Sequence, residues 1–152
     1  MPNEQVEKSD GARLMMLRLP GGWAMVTNHF SDVDSIVEQG QIVNHEYYYE
    51  DLLVLEQVGY DREPQNVSSF HGGYVVDLGW RPSGDLDGAF HLTVLRENGN
   101  HVVAEFSAEN RHTIPATIGE LCRLIGKRLP DNSIGFLTRT KMRRLQPTLP
   151  EE

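Results

Sequence analysis

The chain of 152 residues contains one cysteine, Cys122. An intrachain disulfide and a multi-cysteine zinc site are therefore excluded. Long apolar runs are missing too. The run from Leu52 to Leu55 is as long as any, whereas a membrane-spanning helix needs roughly 20 apolar residues. Met1 to Asp10 is polar and lacks the apolar stretch of a secretory leader. With the unpaired cysteine, this points to the cytoplasm. Basic residues are scarce: 14 Lys and Arg stand against 22 Asp and Glu, a net charge of -8. Such a chain is a poor wrapper of DNA or anionic lipid. Enzyme signatures are absent as well. There is no G-x-G-x-x-G, no phosphate-binding loop, no H-E-x-x-H and no G-x-S-x-G.

What is present suits one globular domain. Hydrophobic residues make up 39% and charged residues 24%, ordinary values for a folded chain. A domain of this size buries roughly 68–70% of its unfolded surface, enough for a core without staples. Residues 1–11 and 147–152 read as tails, leaving 12–146 as a single α+β domain.

Hydrophobic patterning gives the elements. Arg13 to Leu19 and Trp23 to Phe30 flank Gly21-Gly22 and predict a hairpin with Leu19 opposite Ala24 and Leu17 opposite Val26. A short helix is expected over Asp32 to Glu38, with Ser31 as its cap. Asp51 to Val58 predicts a strand, and Gly59 to Gly73 a polar loop. Tyr74, Val76, Leu78 and Trp80 alternate along a strand. Ala89 to Glu97 and His101 to Ser107 predict a second hairpin. A three-residue loop, Asn98 to Asn100, sets Val94 against Ala104 and Leu92 against Phe106, keeping one face apolar. His91 and His101 fall on the other face. A helix from about Ile114 to Leu129 places Ile114, Ile118, Leu121, Cys122, Ile125 and Leu129 on one stripe. Thr113 is its expected cap and Pro130 its stop. Ser133 to Arg139 reads as a last strand or an extended arm. The sum is an antiparallel sheet of about five or six strands with a C-terminal helix packed on it.

Catalytic chemistry finds little support. Asp85-Leu86-Asp87-Gly88 is a fragment of a calcium loop without the remaining ligands, and turn formation explains it better. Cys122 lies on the apolar stripe of its helix, where cysteine packs as a small hydrophobe. The six histidines are scattered. No metal, cofactor or catalytic residue is expected.

Charge is unevenly distributed. Residues 1–110 hold 18 acids and 6 bases, a net of -12, whereas 111–144 hold 2 acids and 8 bases, a net of +6. The acids concentrate between Phe30 and Glu63, around Tyr47-Tyr48-Tyr49. Tyrosine supplies contact area at low entropy cost, and surrounding acids steer a basic partner. Asp32, Asp34, Glu46, Tyr47, Tyr48, Tyr49, Glu50 and Asp51 are therefore the candidate binding residues. The Arg139–Arg144 segment offers a second reading, a nucleic-acid-binding module, but it lacks interleaved aromatics.

Tyr74-Val75-Val76-Asp77-Leu78-Gly79-Trp80-Arg81-Pro82 leads to Asp85, then to Gly88-Ala89-Phe90-His91-Leu92. Phe106-Ser107 and a helix with Ile114, Ile118 and Leu121 follow. This pattern resembles the immunity proteins of bacterial polymorphic-toxin and contact-dependent growth-inhibition systems. The resemblance covers residues 74–129. It implies a cytoplasmic, non-enzymatic inhibitor that covers the active site of a cognate toxin's C-terminal domain. It also implies similarity, in some relatives, to the Whirly fold, with RNA-cleaving toxins as targets. The partner would be a basic protein such as an RNase, with no membrane and no nucleic acid bound.

Overall fold

In the computed structural model, the described residues are 12–60, 67–69, 73–96 and 101–145. Both expected tails and the expected Asn98–Asn100 loop lie outside them. The strands, in chain order, are β1 (Trp23–Asn28), β2 (Val37–Glu38), β3 (Gln41–Ile42), β4 (Leu53–Tyr60) and β5 (Val67–Ser69). They continue with β6 (Tyr74–Arg81), β7 (Ala89–Arg96), β8 (His101–Ala108) and β9 (Arg143–Arg144). Helices α1 (Ile114–Gly126) and α2 (Asp131–Leu137) fall between β8 and β9. One antiparallel sheet runs in the order β1-β4-β6-β7-β8-β9, and β5 pairs with the end of β4. The expected α+β class holds.

Alternation builds the core. Tyr74, Val76, Leu78 and Trp80 of β6 are buried, and Phe90, Leu92 and Val94 are buried opposite them on β7. Ala104 and Phe106 of β8 extend the same face. The α1 stripe of Ile114, Ile118, Leu121, Cys122 and Ile125 joins this cluster. Burying each large apolar side chain contributes roughly 1.5–3 kcal/mol. Asp77, His91, Thr93, Glu105 and Ser107 alternate with these residues and face the other way.

The β7–β8 register is the expected one, with Val94 opposite Ala104 and Leu92 opposite Phe106. A bulge after Val94 then sets Arg96 against His101. It separates the two histidines expected on one face. His91 stays on the polar face, while His101 comes within 3.8 Å of Asp131 on the helix side.

Several local expectations are corrected. Arg13 to Leu19 does not ladder with β1. A single bridge joins Leu14 to Ser31, and β1 pairs with β4 instead. Met15, Leu17 and Leu19 pack on the core from the helix side, where Met16, Arg18 and Leu19 share a cleft with Pro115 and Gly119 of α1. Asp32 to Glu38 is not helical. Its Val33, Ile36 and Val37 are β-branched, and the Asn44 side chain takes up the Ile36 N–H and the Asp34 carbonyl. Gln39 and Gly40 have φ of 54° and 76°, closing the tight turn between β2 and β3. Ser133 to Arg139 is neither strand nor free arm. Asp131 to Leu137 forms α2, which buries Ile134 and lays Gly135 against Ala104. Finally, α1 stops at Gly126, and Arg128 adopts φ 61°. Thr113 makes no side-chain cap; Asn110 instead accepts the His112 N–H in a 3-10 turn leading into the helix. The loop expected over Gly59 to Gly73 contains strand residues, because β4 runs to Tyr60 and pairs with β5 at Val67–Ser69. The rest of it lies largely outside the described residues.

Asp131 ties α2 to the sheet. Arg96 contacts its Oδ1 at 2.6 Å, and the Tyr74 hydroxyl donates to the same oxygen. Burial pushes the Asp131 carboxyl up, but hydrogen bonds from Tyr74 and Arg96 and the nearby positive charge outweigh it. The carboxyl is held below its usual range. A depressed carboxylate adds stability that is fully present above its unfolded value of 3.8 and is lost as pH falls through the folded value. Asp131→Asn is expected to lower the melting temperature at neutral pH and to flatten the acid limb of stability below that value. Thermal unfolding of both proteins across pH checks this.

Candidate functional site

The acidic, tyrosine-bearing segment is positioned by β6 and the loop after it. Gly79 makes this possible. A Cβ there would sit 2.1 Å from the Glu50 carbonyl oxygen, so only glycine lets the 49–51 backbone cross the strand. Leu52 N–H donates to the Leu78 carbonyl at 3.0 Å, and Trp80 N–H to the Tyr49 carbonyl at 2.9 Å. The loop grips from the other side. Gly84 N–H donates to the Tyr48 carbonyl at 2.7 Å, and the Trp80 indole donates to the Asp85 carbonyl at 2.8 Å. Gly79, Trp80 and Asp85, which carry part of the sequence resemblance, are thus the seat of the segment.

Tyr48 is a correction. Its ring is buried, edge-on to Trp80 with centroids 5.0 Å apart and 5.9 Å from Phe90. Its hydroxyl donates to the Val33 carbonyl at 2.5 Å. Burial raises its pKa. It anchors the segment and offers no contact surface. Tyr47 and Tyr49 are half-buried and lean on the core. No sequence signal separates the three, because a 3-10 turn at His45–Tyr47 sets which ring points inward.

The candidate acids fall into two groups. Asp32 accepts the Arg13 N–H at 3.1 Å, and Asp34 contacts Arg111 at 2.7 Å. The second contact joins the acidic segment to the start of the basic one. Glu46, Glu50 and Asp51 are exposed. Glu50 and Asp51 lie close enough to Asp77 to act on its titration. Burial, chiefly, raises the Asp77 carboxyl; Arg81 opposes this, while Asp51 and Glu50 add to it. Asp77 Oδ1 is buried with no hydrogen-bond partner among the described residues.

Sequence reasoning missed an apolar patch. Ile36 and Val43 face each other at the base of the β2–β3 hairpin, joined by a 2.8 Å hydrogen bond from Val43 N–H to the Ile36 carbonyl. They are 52% and 42% exposed; Val37, 44% exposed, pairs with Ile42 on the opposite face of the hairpin. Leu86, 42% exposed, lines a cleft of about 560 Å³ with Gln41 and His45. Asp34, Glu38 and Glu46 flank this patch in the chain and are exposed. Only the pairing of two-residue strands, too short for a periodicity, makes the patch visible.

Among the described residues, no group of three His, Cys, Asp or Glu is placed to hold a metal. Burial pushes the Cys122 thiol up to about 12, so little thiolate forms at neutral pH. The basic Arg139–Arg144 segment folds back onto the sheet. β9 pairs with β8, and Arg144 donates to the Gly135 carbonyl and stacks 4.6 Å from the Phe136 ring centre. No helix among the described residues is long and apolar enough to cross a membrane. No family model matches the chain, and no match is found among curated proteins or solved structures.

Gly79→Ala is expected to destabilise the fold by about 1–3 kcal/mol through overpacking and to shift the Trp80 environment. Chemical denaturation and tryptophan fluorescence read both effects. The Cys122 thiol is expected to resist a thiol-specific chromogenic reagent in the native state and to react at once in denaturant.

Proposed function

We propose that the protein is an immunity protein that binds a basic toxin domain, a nuclease, and neutralises it by covering the active site. The observation that carries this is the exposed apolar pair of Ile36 and Val43 within the acidic segment. Apolar centres with polar rims are the usual anatomy of protein interfaces. An acidic rim selects a basic partner and speeds its association. A nuclease active site, built to hold phosphate, is such a surface. Glu46, Glu50 and Asp51 mimic its anionic ligand, while Tyr47 and Tyr49 add half-buried contact area. Tyr48 and the Gly79–Trp80 seat hold this surface in place before binding, which lowers the ordering cost. The sequence resemblance to immunity proteins supports the same reading.

The test uses the C-terminal toxin domain encoded by the neighbouring gene. A tight complex is expected, with association slowing as salt rises. Joint replacement of Ile36 and Val43 by Ser, with Glu46 and Glu50 by Gln, is expected to weaken affinity at least about tenfold, or roughly 1.4 kcal/mol. Unchanged affinity in that variant, or failure to protect cells against the toxin, would overturn the reading.

A further inference from the structure

The sheet face turned away from α1 carries a separate polar row. Register places Gly79, His91, Ser107 and Arg143 side by side on β6, β7, β8 and β9. The residues next to them in sequence, Leu78, Leu92 and Phe106, are fully buried in the core, so the row points the other way. His91 to Arg143 spans two strand spacings, about 10 Å. A surface cleft of about 520 Å³ opens there, lined by His91, Ser107, Asn110, Lys141 and Arg143, with Glu109 also on its wall.

Charge is distinctive in this cleft. Lys141 and Arg143 are exposed, and neither belongs to an ion pair among the described residues. They outnumber the single lining carboxylate in a protein of net charge -8. His91 has its pKa lowered, first by burial and then by Arg81, with Glu105 opposing. At neutral pH it is therefore a neutral hydrogen-bonding group. Ser107 adds a hydroxyl beside it.

We propose that this cleft binds the phosphate group of a small phosphorylated ligand, with Arg143 and Lys141 supplying charge and His91 and Ser107 hydrogen bonds. Guanidinium and ammonium groups are the side chains best suited to phosphate oxygens. A polynucleotide fits less well. No Phe, Tyr or Trp side chain lines the cleft to stack a base, and the acidic remainder of the protein repels a long polyanion. The cleft shares no lining residue with the surface around Ile36 and Val43, and its test does not use the toxin.

Calorimetric titration of the full chain with inorganic pyrophosphate, and separately with a single-stranded RNA oligonucleotide, tests the site. Saturable pyrophosphate binding is expected, weakened at least about tenfold in Lys141→Ala/Arg143→Ala, a loss of roughly 1.4 kcal/mol. The control Arg123→Ala/Lys127→Ala, on exposed positions in and just after α1, is expected to bind as the native protein does. If the RNA also binds and pyrophosphate displaces it with the same sensitivity, the phosphate site stands and its source is a strand. Absence of saturable pyrophosphate binding, or equal weakening in both double variants, would overturn the proposal. Circular dichroism confirms that each variant is folded.

Discussion

Gly79 lies directly beneath the Glu50 carbonyl, and much of the structure on the acidic side depends on that approach. With the 49–51 backbone pressed onto β6, Trp80 N–H reaches the Tyr49 carbonyl and Leu52 N–H reaches the Leu78 carbonyl. Tyr48 is thereby delivered to the core, where it meets Trp80 and Phe90. Once its ring is buried, its hydroxyl holds Val33, and the Asn44 side chain holds Asp34 and Ile36. A segment with little regular structure of its own is thus fixed by one close contact and a chain of side-chain hydrogen bonds. An interaction surface built this way is ordered without a long strand or helix beneath it.

The two halves of the charge distribution meet at defined points. Arg111 contacts Asp34, and Arg96 contacts Asp131. Most exposed acids of the 32–51 segment nevertheless keep their charge toward solvent. Arg144 is occupied by Gly135 and Phe136, whereas Arg143 and Lys141 face the cleft. The basic third of the chain therefore divides into residues that secure β9 and residues that are open to an anion.

Legibility in the sequence followed the length and regularity of each element. The β6, β7 and β8 strands and the α1 stripe showed clear periods, and their pairing and burial match the expectation. The 13–22 and 31–51 segments did not. Gly21-Gly22 is a sound turn signal, yet Met15, Leu17 and Leu19 find more burial over the helix side than in an edge strand beside β1. The helix expected over Asp32 to Glu38 does not form, because Asn44, eight residues after Ile36, supplies the hydrogen bonds that decide the conformation there. The Ser133–Arg139 region hid a seven-residue helix whose small Gly135 permits close docking on Ala104.

By itself, then, the sequence determined the class of fold, the apolar face of the central strands, the register of the β7–β8 pair as far as the bulge after Val94, and the separation of charge. Those properties are local sums or periods, and every residue contributes to them in proportion. Tertiary structure alone decided which of three adjacent tyrosines became core, that His91 and His101 face opposite sides, and that Ile36 meets Val43. Each of these depends on a contact between distant residues or on one bulge that reverses side-chain direction. A one-residue change of phase is invisible in composition, yet it moves a side chain from the core to the surface.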